Sequence, residues 1–201
     1  MLRGLEGRGV AVFFPSDDGA VERRAASVIR ALEEAGARIH VLRAGQGSDD
    51  WHGGLYAALV IVGDGTAAFA GEQRLVQLAR EFLVSDKPLA AFGGGLTVLQ
   101  EAGGGAGHAV AADGEFKSAV EEAGGTAVDE PISVDDALIT AGSSADVEAF
   151  AKRVVQEFSD RLEERDLDEM SELSFPASDP PAITPATIGR VAPDRESDSR
   201  P

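Results

Sequence analysis

Apolar residues in the first half of the chain fall alternately into unbroken runs and helical stripes. Gly9-Val-Ala-Val-Phe-Phe14 is an unbroken run, the pattern of a strand buried on both faces. Pro15-Ser-Asp-Asp-Gly19 is a turn rich in helix-capping residues. Val21, Ala25, Val28, Ile29 and Leu32 then recur at helical spacing, and Gly36 follows as the stop. Residues 38–42 form a second strand pattern, and a loop over residues 45–54 carries the single tryptophan, Trp51. Residues 57–62 (Ala-Ala-Leu-Val-Ile-Val) predict a third buried strand, and Leu75, Leu78, Ala79 and Phe82 the next helix. Pro88-Leu-Ala-Ala-Phe92 predicts a fourth strand, and Gly93-Gly-Gly95 the turn into a short helix through Leu96 and Leu99. Strand–helix alternation of this kind implies a parallel sheet covered on both faces.

The middle of the chain is looser. Residues 103–107 are glycine-rich and read as a flexible connection. Residues 115–123 predict a short helix stopped by Gly124-Gly125, followed by short strands near Ala127-Val128 and residues 132–134, then a sheet strand over 137–140. Val147, Phe150, Ala151, Val154, Val155, Phe158 and Leu162 make an apolar stripe along a last helix. From Asp166 onward six prolines appear, and 8 acidic residues face 3 arginines. That composition predicts a folded domain over 1–165 and an acidic, Pro/Ser-rich disordered tail over 166–201.

Charge and composition narrow the classes of function. The 201 residues carry a formal net charge of −17, with no cysteine. The missing cysteines exclude a disulfide framework, a thiolate metal site and a cysteine nucleophile. The acidic balance argues against a nucleic-acid partner, which would need a basic patch, and against adsorption to anionic lipid. No apolar run approaches the length of a membrane span. The first nine residues lack a hydrophobic signal core, so the expected location is cytoplasmic.

Several segments together resemble the PfpI/ThiJ superfamily, within the class I glutamine-amidotransferase-like fold. Arg80-Glu-Phe82 followed by Lys87-Pro-Leu-Ala-Ala-Phe92-Gly-Gly-Gly95 is similar to that group's nucleophile-elbow region, an Arg-Glu-Phe helix end and then Lys-Pro-Val-Ala-Ala-Ile-Cys-His-Gly. Residues 58–64 resemble its Ala-Leu-Val-Ile-Pro-Gly-Gly. Phe116-Lys-Ser-Ala-Val-Glu-Glu-Ala-Gly124 resembles its helix ending in Ala-Gly, and Val128-Asp-Glu-Pro-Ile-Ser-Val-Asp135 its Val-Asp-Glu-x-Val-Val-Val-Asp segment. Leu138-Ile-Thr140, Ala145-Asp146 and Phe150 are similar to its closing motif. The likeness covers about residues 9–160 in consistent order. It implies a three-layer, flavodoxin-like α/β fold, a parallel sheet with helices on both faces, and a homodimer paired near the elbow.

The departures fall on the chemistry. The family's nucleophilic Cys falls on Gly93 and its following His on Gly94. The Arg and Pro of the closing motif fall on Gly142-Ser143-Ser144. The helix-borne Glu that usually contacts the Cys falls on Arg24, counting back from Ala35-Gly36. Glu22 is the nearest acid but lies about 200° round the helix from that position. Gly63-Asp64 stands where the family has Gly-Gly. A thiol at the elbow works because the helix N-terminus and nearby amides lower its pKa and stabilise an oxyanion. Glycine supplies no nucleophile. The C-terminal domain of large-subunit catalases, of the same fold, similarly lacks it.

Other candidates are weaker in their patterns. Gly93, Gly94 and Gly95 expose amides beside the Gly63 amide, a geometry for a small carboxylate or phosphate, although glycine also simply tolerates a strained turn. Asp17, Asp18 and Asp64 follow strands expected to be neighbours, so their carboxylates are weak candidates for a Mg²⁺ site. Asp17 and Asp18 equally suit a helix cap. His40, His52 and His108 have no ligand partners at helical spacing. Ser143 and Ser144 suit helix capping better than nucleophilic attack. Thr97 lies one turn into the short helix without an obvious base. Trp51 suits packing, or stacking on a flavin. Neither a phosphate-binding Gly-Lys loop nor a three-glycine dinucleotide motif is present.

The reading is therefore a non-catalytic PfpI/ThiJ-like protein, stress-associated or regulatory, binding a small ligand or partner through a degenerate elbow pocket of Gly93, Gly94, Gly95, Gly63, Asp64, Glu22 and Arg24. No cofactor, nucleic acid or membrane is expected. Two alternatives stay open: a metal-assisted hydrolase or lyase using Asp17, Asp18 and Asp64, and an interaction module recruiting through the tail.

Overall fold

The computed structural model describes residues 4–15, 19–43, 51–64, 69, 72–114 and 116–174. Five strands lie parallel: β1 (Gly9–Phe13), β2 (Arg38–Leu42), β3 (Ala58–Gly63), β4 (Leu89–Gly93) and β8 (Leu138–Ala141). Their side chains alternate between two cores, as the twofold period of a strand requires. Val10, Val12, Val60, Val62, Phe92 and Ile139 face α1 (Gly19–Glu34) and α5 (Val147–Ser174). Ala11, Phe13, Leu59, Ile61, Ala91 and Leu138 face α2 (Gln73–Val84), α3 (Gly95–Glu101) and α4 (Phe116–Glu122). This is the expected three-layer α/β architecture.

The sheet order is β2-β1-β3-β4-β8-β7, and its last strand departs from the parallel expectation. β7 (Ile132–Asp135) runs antiparallel to β8, with Asp135 opposite Leu138. Only two residues join them, and Asp136 takes φ 54° in that turn. A link this short closes a hairpin and cannot make a crossover. A separate parallel pair, β5 (Ala109–Ala111) and β6 (Thr126–Val128), flanks the main sheet.

Two further expectations change. The 103–107 segment is a packed turn, not a loose connection: Gly104 and Gly105 are buried, and the Gly107 amide donates to the Gly124 carbonyl at 3.1 Å. The last helix runs to Ser174, nine residues past the boundary set at Arg165. Residues 166–174 contain no glycine or proline, so nothing local stops the helix. Over residues 166–171 the side chains are exposed or half-buried, so the missing apolar period there records lack of burial rather than lack of helix. Arg8 pairs with Asp166, and the Arg165 guanidinium donates to the Ser85 and Asp86 carbonyls at 3.1 and 2.9 Å. The remainder of the acidic tail, residues 175–201, lies outside the described residues.

Candidate functional site

The carboxyl ends of β3 and β4 meet where the sequence places the elbow. Gly63 pairs with Gly93 in register, and the Gly94 amide donates to the Gly63 carbonyl at 2.9 Å. Gly93 takes φ 55°, the left-handed region. A Cβ on it would overlap the Gly63 carbonyl oxygen and sit 3.2 Å from the Ser143 hydroxyl. A Cβ on Gly95 would come within 2.6 Å of the Ile61 carbonyl oxygen. The strand-to-helix turn is thus retained, closed so tightly that glycine is part of its construction. Since the Gly94 amide already has an acceptor, it is not an open donor to a ligand.

Phe69 completes this end of the sheet. Its ring lies against Gly63, where a Cβ would overlap it, and 5.9 Å from the Phe13 ring. It is 3% exposed. Sequence reading passed over Phe69 because a lone loop aromatic has no periodicity.

Arg24 and Asp64 come together above β4. The Arg24 guanidinium pairs with the Asp64 carboxylate and lies 5.8 Å from the Phe92 ring centre. Phe92 in turn packs edge-on against Phe150 of α5 at 5.2 Å. An ion pair thus joins positions 24 and 64, where the sequence resemblance places a Glu and a Gly. Glu22 is exposed on α1, away from this pair. Asp64, the described member of the Asp17, Asp18 and Asp64 set, is committed to a guanidinium. Asp17 and Asp18 lie outside the described residues. Among the described residues no three metal-ligating side chains cluster.

The end of β8 also reaches the site. Ser143 approaches Gly93, and Ser144 bonds Asp113 through both its amide (3.0 Å) and its hydroxyl (2.8 Å). The serines do not cap α5: the Ala149 amide donates to Asp146 Oδ1 at 2.7 Å, which makes Asp146 the cap. Burial pushes the Asp113 carboxyl upward, but the Ser144 amide, the Ser144 hydroxyl and the Ser143 amide together hold it below its ordinary 3.8. A depressed folded pKa stabilises the fold above the unfolded value and is lost as pH falls through the folded one. Asp113→Asn is therefore expected to cost about 1 kcal/mol at pH 7. Urea unfolding at pH 7 and pH 3 should show a smaller difference for the variant than for the natural chain. An equal difference would show that Asp113 carries no such linkage.

The remaining candidates are dispersed. Trp51 is buried edge-on against Phe13 at 5.9 Å, a packing role. His40 lies against Tyr56 with ring centres 5.4 Å apart, and His52 is exposed. His108 Nδ1 lies 3.3 Å from Asp135 Oδ2, which also accepts the Ala109 amide at 2.7 Å. The Thr97 hydroxyl is buried without a hydrogen-bond partner, as is the Gln100 Nε2 amide one turn further on. No described helix is long and apolar enough to cross a membrane.

An open α/β sheet with a tight strand-to-helix turn at its carboxyl edge defines a class of flavodoxin-like proteins with an elbow site. Residues 36–157 match the DJ-1/PfpI family, and the chain belongs to it. A ThiJ/PfpI domain protein from Brachyspira murdochii superposes with a TM-score of 0.69 at 18% identity, covering 77% of this chain and 98% of that one. Drosophila melanogaster DJ-1beta gives 0.63 at 16% identity, covering 82% and 98%. A two-domain Anabaena variabilis protein with DJ-1/ThiJ/PfpI-like and ferritin-like domains gives 0.68 at 19% identity, covering 74% of this chain and 49% of that one. At these identities the likeness concerns the fold. No curated protein sequence matches the chain.

Proposed function

We propose that this protein is a non-catalytic member of its family, stress-associated or regulatory, which holds a small anionic ligand at the elbow without turning it over. The observation that carries this reading is Gly93. The position that would bear the nucleophile has no side chain, and a Cβ there would overlap the Gly63 carbonyl oxygen. The usual thiol chemistry also lacks its neighbouring base, because Gly94 follows. Arg24 supplies the cationic group for the ligand. Its pairing with Asp64 means that an anion competes with a carboxylate already in place, so millimolar rather than tight binding is expected.

The purified protein is expected to leave methylglyoxal unconsumed. Turnover above a heat-denatured control would overturn the non-catalytic reading. Titration with lactate, followed by the amide resonances of Gly63 and Gly93, should show saturable shifts that Arg24→Ala abolishes. Shifts that survive Arg24→Ala would remove Arg24 from the ligand site.

A further inference from the structure

A cleft of about 850 Å³ opens at the amino edge of the sheet, between the start of β1 and the end of α5. Three cations reach it, each anchored on main-chain carbonyls. Arg38 Nε donates to the Gly7 carbonyl at 2.8 Å. Arg165 donates to those of Ser85 and Asp86, and Lys87 Nζ to those of Gly53 and Tyr56 at 2.7 and 3.2 Å. Among the described residues none of the three is in an ion pair, in a chain with 35 acidic residues against 18 Lys and Arg. Arg8, also in the cleft, is taken by Asp166. The carboxylates of Asp86, Asp168 and Glu169 line it too, which limits the positive charge on offer to one compact anion.

Lys87 is the reactive group in this setting. A lysine nitrogen has three positions besides its carbon, all of them N–H when charged. Two are spent on the Gly53 and Tyr56 carbonyls. The third has no hydrogen-bond acceptor among the described residues, and it is the one that becomes a lone pair when the amine is neutral. Loss of the proton therefore frees a nucleophile without releasing its anchor. Burial and the nearby Arg165 hold the Lys87 pKa below the ordinary lysine value, against the pull of Glu81. A desolvated lysine beside a second cation is the usual setting for imine formation. The other two lysines lie elsewhere. Lys117 pairs with Asp129, which holds its pKa above the ordinary value, and Lys152 is exposed along a different groove on α5.

We propose that this cleft captures small aldehydes carrying one anionic group, a phosphate or a carboxylate, as an imine on Lys87. The guanidinium groups of Arg165 and Arg38 hold the anion. Lys87 Nζ, having given a proton to water, attacks the carbonyl carbon and forms the C–N bond. The carbonyl oxygen takes one proton from that nitrogen and one from solvent and leaves as water. The protonated imine keeps one N–H for the Gly53 carbonyl, the nearer of its two acceptors. No oxidant or reductant takes part, and water reverses the step. Capture is stoichiometric, so it is independent of the elbow reading and compatible with a protein that turns nothing over there.

Labelling of the full chain with pyridoxal phosphate, an anionic aldehyde used here as a probe, tests this. Borohydride fixes the imine and peptide mapping locates it. Lys87 is expected to be labelled about tenfold faster than Lys117 or Lys152. Pyridoxal, the same aldehyde without the phosphate, should lose that preference, and excess inorganic phosphate should remove it by competition. Arg165→Gln should slow labelling at Lys87 and leave Lys117 and Lys152 unchanged. The natural chain with the two aldehydes gives the same test if that variant disturbs α5. Labelling of Lys117 or Lys152 as fast as Lys87 would overturn the proposal. So would a Lys87 preference that pyridoxal shares and phosphate leaves untouched, since the amine would then act without an anion site.

Discussion

Gly93→Ala is expected to destabilise the protein by about 3 kcal/mol, the sum of left-handed backbone strain and local overpacking. For a domain of this size that lowers the thermal midpoint by roughly 6–12 °C. Two independent features require the loss. The backbone at Gly93 holds φ 55°, and an added Cβ would overlap the Gly63 carbonyl oxygen. Neither contact can relax alone, because β3 and β4 are hydrogen-bonded in register at that level. Gly54→Ala is the control: a Cβ there meets nothing within 4 Å, so it should change stability by well under 1 kcal/mol. Gly93→Cys carries the same Cβ and should show the same loss without gaining activity towards methylglyoxal. A Gly93→Cys protein with wild-type stability and new turnover would mean that the elbow keeps the room for a nucleophile and that only the side chain was lost.

Phe69→Ala should cost about 4 kcal/mol, the usual range for emptying a buried phenylalanine site. The more informative result is its coupling to Gly63. On its own, Gly63→Ala drives a methyl into the Phe69 ring and should cost about 2 kcal/mol. In the Phe69→Ala background that penalty should disappear, because the space the ring filled is empty. A double-mutant cycle by urea unfolding measures the difference directly, with a favourable coupling of about 2 kcal/mol expected. Additive losses would show that the ring does not rest on Gly63. Trp51 reports the same cluster spectroscopically, since it packs on Phe13, which in turn contacts Phe69.

The alternation of buried runs and helical stripes made the layered fold legible in the sequence. Each element's apolar residues have one face or two to fill, and periodicity records which. The absence of a cysteine thiol was equally legible, because it is a matter of composition. What the sequence misjudged has a common character. The antiparallel β7 follows from a two-residue turn at Asp136, and Asp136-Ala137 is not a strong turn dipeptide. The helix beyond Arg165 lacks an apolar stripe because its side chains from Asp166 to Ser171 are exposed or half-buried, and a solvated helix looks like a tail.

The candidate site divides along the same line. Sequence alone determined that the chain holds no cysteine, an absence that no folding can restore. Only the tertiary structure decided what stands at the elbow. Arg24 and Asp64 are 40 residues apart, and nothing local in either segment announces that they pair above Phe92. Ser144 and Asp113, 31 apart, meet because β8 and the β5 strand end at one side of the sheet. Local periodicity encodes burial and element type through the geometry of one helix or strand. Pairings between distant residues depend on strand order and register, which are set by the packing of the whole sheet.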